Sequence, residues 1–223
     1  MGLYVDSADL DDIADLCQTF PVTGVTTNPS ILLAAVERGQ RLSDLDVLDR
    51  LLLLCAGPVF MQPTADTPAG LAAAALRYVA ADPARVVIKL PATATGLAAA
   101  SELRRQGVRL AFTAAYTLAQ AYCAVQAGAQ WVIPYFGRLR RSGVDAADRV
   151  DAMTHLLAQQ STSTRILAAS LKSVADLVEV TSAGAHDVTA PPDIIRALMD
   201  DELTQTAVAQ FAEDWRRLRE VLG

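Results

Sequence analysis

Histidine is nearly missing from this chain of 223 residues: His155 and His186 are the two present. His155 falls in a helical pattern and His186 opens the last β-rich segment at its N-terminal end, so neither a Ser-His-Asp triad nor a histidine-rich metal site is supported. Cysteine is scarce too. Cys17, Cys55 and Cys123 are odd in number, far apart and without CxxC spacing, which reads as buried free thiols in apolar helical contexts of a reducing compartment. Positive charge is not in excess either. A formal net charge of -6 and a pI near 4.9 deny the cationic field that general nucleic-acid or anionic-membrane binding needs, so any phosphate must be met by local residues. Long apolar runs are absent: the longest, Leu51 to Met61, carries Gly57-Pro58 inside it and is too short to span a bilayer. Asp6, Asp9, Asp11 and Asp12 interrupt the N-terminus where the apolar part of a secretory signal would lie. The expectation is a cytoplasmic protein with no nucleic-acid or membrane partner.

What is present is an alternation. With 52% hydrophobic and 20% charged residues, the composition suits a soluble globular chain, and no Pro/Gly/Ser-rich linker divides it, so one domain is expected over 1–223. Short β-rich segments recur: GLYVD (2–6), GVTTN (24–28), PVFMQ (58–62), VVIKL (86–90), RLAFT (109–113), WVIPY (131–135), RILAAS (165–170) and HDVTA (186–190). Helical patterns rich in Ala and Leu lie between them. Asn28-Pro29 and Thr67-Pro68 read as N-caps followed by proline at the first helical position, and Gly107, Gly128 and Gly184 sit where helices would end. Eight β segments alternating with helices predict a parallel sheet. A doubly wound sheet would usually carry a glycine-rich loop after its first strand; VDSADLDDI has none. The fold expected is therefore an α/β, single-domain (β/α)8 TIM barrel of compact size.

In such a barrel, reactive groups gather at the C-terminal ends of the strands. Asp6, Thr26, Thr27, Asn28, Gln62, Lys89, Thr113, Tyr135, Ser170 and Thr189 occupy those positions. Taken singly, each hydroxyl or amide reads equally as a helix cap or a loop hydrogen bond, and Asp6 could cap a helix through the DSAD turn. Lys89 stands apart, because its neighbours in VVIKLP are apolar on both sides. Its stem can lie in the core while the head snorkels, or the amine can be held partly neutral to attack a carbonyl. A lysine, a carboxylate, a tyrosine and several neutral hydrogen-bonding groups suit Schiff-base chemistry.

The elements LYVDSADL, GVTTNPSIL, VVIKLPAT with GLAA after it, TAAYTLAQA, PYFGR and LAASLK, with FAEDW near the C-terminus, resemble the transaldolase family in order and spacing. The likeness is to its small subgroup containing fructose-6-phosphate aldolase. It implies a class I aldolase in which Lys89 forms an imine with a dihydroxyacetone-type donor and Asp6 moves a proton as the carbon-carbon bond breaks or forms. It further implies that Asn28 and Ser170 hold donor oxygens, that Thr26 shapes the pocket, and that Thr113, Gln62 and Tyr135 orient a water. No metal or organic cofactor is implied. The substrates would be sugars or sugar phosphates, fructose 6-phosphate with dihydroxyacetone and glyceraldehyde 3-phosphate first among them. Gln62 and Tyr135 match the aldolase arrangement, where many transaldolases have glutamate and the classical ones phenylalanine. Two rival readings stay open: a transaldolase that passes the three-carbon unit between sugar phosphates, and a barrel that binds sugar phosphates without catalysis.

The dense basic run GRLRRSG (137–143) reads as a solvated loop at Arg140 and Arg141. Arg138 matches the arginine that the resembling family places on an acceptor phosphate, with Ser170 and Lys172 able to assist. Arg140 stands where an acidic residue is common, and Ile133 and Pro63 also depart from the pattern; these departures ring the acceptor side. Finally, Thr204 to Leu222 is amphipathic, with Val208, Phe211, Trp215, Leu218 and Leu222 roughly on one face. Such a helix can pack on its own barrel. In the resembling subgroup it reaches a neighbouring subunit of a ring-based decamer, which implies a homo-oligomer.

Overall fold

The computed structural model describes residues 1–160 and 162–223. Eight strands follow one another in chain order: β1 (Gly2–Asp6), β2 (Val22–Thr26), β3 (Val59–Met61), β4 (Val86–Pro91), β5 (Arg109–Ala115), β6 (Trp131–Pro134), β7 (Arg165–Ala168) and β8 (Asp187–Ala190). Each pairs in parallel with the next, and β8 pairs back onto β1, closing the barrel. The helices are α1 (Leu10–Thr19), α2 (Pro29–Glu37), α3 (Asp44–Leu54), α4 (Pro68–Val79), α5 (Ala94–Arg105), α6 (Leu118–Gln126), α7 (Phe136–Arg141), α8 (Ala146–Gln159), α9 (Val174–Ser182), α10 (Pro192–Ala197) and α11 (Glu202–Leu222). The expected (β/α)8 barrel with a C-terminal helix is the fold observed.

Local chemistry explains the joints. Asn28 and Thr67 cap α2 and α4 through their side chains, with proline in the first turn of each. Gly107, Gly128 and Gly184 fall one residue past the C-caps of α5, α6 and α9. Asp9, not Asp6, caps α1, accepting from the amides of Asp11 and Asp12. Asp6 is thereby free of the capping role that the sequence left open.

Two-residue periodicity then divides the barrel interior into layers. Tyr4, Phe60, Val87, Ala111, Trp131 and Leu167 fill its N-terminal half, with Tyr4 edge-on to Phe60 at 5.5 Å and Phe60 edge-on to Trp131 at 5.0 Å. Beneath them the buried Asp187 carboxylate accepts from the Gly2 amide at 2.7 Å, from Trp131 Nε1 at 3.2 Å and from two nitrogens of Arg165 at 2.7 Å. This plug shuts the lower end. Two residues further along the strands, on the same inward face, come Asp6, Lys89, Thr113, Ile133, Ala169 and Thr189, while Gln62, just past β3, lies against Arg77 and Tyr78 instead. A dry floor with a polar rim above it follows from that one register.

The basic run departs from expectation. Phe136–Arg141 is helix α7, and Arg140 reaches across to α9, where Nη1 meets Asp176 Oδ1 at 2.7 Å and Nη2 meets Glu179. A guanidinium beside two carboxylates is ion-paired rather than merely solvated. The cysteines also differ from a uniformly buried set: Cys55 is buried just past α3, Cys17 is half-buried and Cys123 is exposed on α6. Helix α11 does not pack on its own barrel. It has no buried residue, and Phe211 and Trp215 are 68% and 58% exposed. Among the described residues, no helix is long and apolar enough to cross a membrane.

Candidate active site

The centre of the site is a single amine. Lys89 lies on β4 between Ile88 and Leu90, is 2% exposed, and its Nζ donates to the Thr27 carbonyl at 2.7 Å. Burial removes water from the ammonium and lowers its pKa from 10.5 to about 8, with the Asp6 charge opposing part of that shift. Asp6, at the end of β1, is pushed up from its usual value by the same burial; the charges of Lys89 and Lys172 and the Thr26 hydrogen bond pull the other way. The snorkelling alternative therefore does not describe Lys89, whose head remains inside the barrel.

The neighbours of Asp6 hold it in place. Thr26 Oγ1 donates to Asp6 Oδ1 at 2.6 Å and is itself 2.6 Å from Thr189 Oγ1. These contacts link β1, β2 and β8 through side chains on one inward layer. On the opposite wall, Thr113 Oγ1 donates to the Tyr135 hydroxyl at 3.1 Å. A bulge in β5 lies beside Thr113, with Ala114 at φ 55. Tyr135 is raised above its ordinary pKa, mainly by burial, while the Arg138 guanidinium stacks 4.6 Å above its ring.

Asp6, Asn28, Lys89, Tyr135, Arg138, Ser170 and Lys172 line one cavity of about 250 Å3. Its charge changes sign across its width: Asp6 lies on one side, and Arg138 and Lys172 on the other. Asn28 Oδ1 accepts from the Ile31 amide at 3.1 Å, so the side chain both caps α2 and lines the cavity. Ser170 follows β7 with φ 66, a left-handed conformation uncommon for a residue with a Cβ.

Of the residues that the family resemblance gives a role, the seven named above line this cavity and two more bond directly to one that does. Thr26 and Thr113 belong through Asp6 and Tyr135. Gln62 is the exception. Its Oε1 is buried without a hydrogen-bond partner, and the residue lines a separate cavity with Thr64, Arg77 and Tyr78. It makes no hydrogen bond with Thr113 or Tyr135. Sequence reasoning missed the Thr27 carbonyl as the lysine's partner, because a main-chain oxygen leaves no mark on residue choice. It also missed Asp176: Ser173 and Asp176 advertise only a helix cap.

The sequence profile described as Transaldolase/Fructose-6-phosphate aldolase matches residues 3–222. The chain belongs to that family. Membership makes this an enzyme of aldolase or transaldolase type, with sugar phosphates as the substrate class. The fold is shared far more widely. A thiamine phosphate pyrophosphorylase from Pyrococcus furiosus is 13% identical at a TM-score of 0.60, covering 85% of this chain and 85% of its own. A mandelate oxidase mutant is 13% identical at 0.57, covering 87% of this chain and 65% of its own. Inosine 5'-monophosphate dehydrogenase from Legionella pneumophila is 13% identical at 0.60, covering 87% and 58%. This chain therefore spans less than two thirds of the latter two proteins. At such identities the likeness speaks for the barrel alone.

Proposed function

We propose that this family member is a class I aldolase that cleaves or forms fructose 6-phosphate through an imine on Lys89. The observation that carries the reading is a lysine inside a closed barrel, with its pKa lowered to about 8, facing the same cavity as Asp6. About a tenth of such an amine is neutral at pH 7, against well under a thousandth for an ordinary lysine. The neutral nitrogen attacks the ketone carbonyl of dihydroxyacetone or fructose 6-phosphate; water leaves, and an iminium remains. Its positive nitrogen draws electrons from the carbon-carbon bond one carbon away, which breaks to leave a neutral enamine, so the protein supplies the electron sink; protonation of the enamine carbon and hydrolysis of the imine then release the triose. Asp6 takes the proton from the hydroxyl at the breaking bond and returns it in the synthetic direction.

The remaining groups have positioning roles in this reading. Asn28 and Ser170 hold donor oxygens, and Thr26 fixes the Asp6 carboxylate. Thr113 and Tyr135 handle the water of imine formation and hydrolysis, with Gln62 as their third partner once its amide turns to meet them. Arg138 and Lys172 carry the positive charge that suits an acceptor phosphate, Arg138 with a planar fork that can grip two oxygens. Fructose 6-phosphate is assayed with and without erythrose 4-phosphate while released triose is measured. The aldolase reading expects free dihydroxyacetone without the second sugar.

Transaldolase activity is the second reading, favoured by one observation: Arg138 and Lys172 share the cavity with Lys89, so a second phosphorylated sugar held there can take up the enamine before it is protonated. It expects rapid exchange between sugar phosphates and no free triose. In either case the protein works as a cytoplasmic homo-oligomer. An amphipathic α11 with exposed Phe211, Trp215 and Leu218 has no apolar partner among the described residues of its own subunit, and burial against a second copy would supply one. Light scattering on the intact chain and on Trp215→Glu tests this. A monomer in both contradicts it.

A further inference from the structure

Arg140 and Asp176 lie outside the cavity, yet both sides of its cationic end depend on them. Arg138 and Arg140 are two residues apart on α7 and so point to nearly opposite sides of that helix. While Arg138 lines the cavity, Arg140 turns to α9 and places Nη1 2.7 Å from Asp176 Oδ1. Its guanidinium carbon also lies 5.0 Å from the centre of the Phe136 ring. The other Asp176 oxygen accepts the Lys172 backbone amide at 2.8 Å, and the Asp176 amide is capped by Ser173 at 3.0 Å. One carboxylate, only 6% exposed, thus holds α7 through one oxygen and the segment carrying Ser170 and Lys172 through the other.

The two held pieces are in contact with little room to spare. A Cβ at Gly137 would lie 2.3 Å from the Ser170 carbonyl oxygen, so α7 sits directly on this segment. Ser170 is in the left-handed region, a conformation that is unfavourable for a residue with a Cβ and persists where its surroundings fix it. The Phe136 amide donates to the Ala169 carbonyl at 2.9 Å on the near side, and the Asp176–Lys172 contact holds the far side. Loss of Arg140 would leave a buried carboxylate oxygen without its cation and α7 without its tie to α9.

We propose that Arg140 and Asp176 form a positioning brace that sets the distance between Arg138 and the Ser170–Lys172 segment, and so the grip on the acceptor's phosphate. This rests on the reading that Arg138 and Lys172 meet that phosphate. Neither brace residue touches substrate. Because the Asp176–Lys172 contact that holds the Ser170 segment remains when Arg140 is lost, the group displaced is Arg138, and the effect appears with phosphorylated acceptors and vanishes with those lacking the phosphate.

Arg140→Ala, Arg140→Lys and Arg138→Ala are each assayed in the direction of synthesis with dihydroxyacetone, using glyceraldehyde 3-phosphate and then unphosphorylated glyceraldehyde. The expected result for Arg140→Ala is a KM for the phosphorylated acceptor raised by roughly tenfold, a kcat within about twofold, and kinetics with glyceraldehyde within about twofold. Arg140→Lys, which still reaches Asp176 with one cation, recovers part of the loss. Equal losses on both acceptors would make the brace a stability element only and overturn the proposal, as would no change on either. If Arg138→Ala discriminates between the acceptors and Arg140→Ala does not, the brace is wrong while the phosphate reading stands. If Arg138→Ala does not discriminate, the phosphate reading has failed and the brace falls with it.

Discussion

Lys89 Nζ donates to the carbonyl oxygen of Thr27 at 2.7 Å, not to the Asp6 carboxylate with which it shares the cavity. A neutral carbonyl can orient an amine without fixing a full positive charge on it, whereas a close carboxylate would stabilise the ammonium and raise its pKa. The contact leaves the Asp6 carboxylate hydrogen-bonded to Thr26 rather than to the lysine.

The pH dependence follows with a definite sign. The neutral amine is the attacking form, and burial has lowered the Lys89 pKa to about 8. The rate of borohydride trapping with dihydroxyacetone, corrected for reagent decay, rises about tenfold per pH unit below that value and levels off above it. A rise that continues towards 10.5, the usual lysine value, would show that the amine is not shifted.

Asp6→Asn separates imine formation from bond cleavage. The amide fills the same space and can still meet Thr26, yet it cannot accept the substrate proton. Trapping of the donor on Lys89 persists, and turnover falls by about 10² to 10⁴. Equal loss of trapping and turnover would assign Asp6 to the attack step instead.

Tyr135→Phe removes one hydroxyl while retaining the ring that stacks under Arg138. The Thr113 hydroxyl loses its partner at 3.1 Å. Release of free triose and exchange between sugar phosphates both fall, because each turnover ends in hydrolysis of an imine: that of dihydroxyacetone in release, that of the product sugar in exchange. Undiminished rates in both assays would remove Tyr135 from water handling.

Asp187→Asn tests the plug under the barrel. The carboxylate is buried and accepts from Gly2, Trp131 and Arg165. Neutralising it weakens the contact with the Arg165 guanidinium, which is half-exposed and keeps the His186 carbonyl, at a cost of about 1 to 3 kcal/mol in denaturant unfolding. Donor trapping in the folded fraction is unaffected, since Asp187 lies below the aromatic layer.

Much of this was legible in the residues. The eight β segments each contain or overlap a strand, because apolar runs punctuated by caps and glycines carry local signals. Their ends moved by up to two residues: β2 is Val22–Thr26 rather than 24–28, and Tyr135 forms only an isolated bridge to Ala169. The site was legible because period-two alternation puts Asp6, Lys89 and Thr113 on one inward face. What escaped was partner choice across space. Arg140 reads as a solvated charge until α9 brings Asp176 and Glu179 to it, 36 and 39 residues away in the chain. Gln62 has the inward register by spacing yet lies against Arg77 and Tyr78 and forms no bond with Thr113 or Tyr135. Side-chain rotation does not follow from spacing.

The central claim concerns a covalent bond to one nitrogen. The sequence holds two lysines, Lys89 and Lys172, so peptide mapping after borohydride reduction in dihydroxyacetone distinguishes them without ambiguity. The expected result is one reduced three-carbon unit on the peptide containing Lys89, and neither adduct nor turnover in Lys89→Met. An adduct-free wild-type protein that still turns over fructose 6-phosphate would contradict the account, as would modification confined to Lys172.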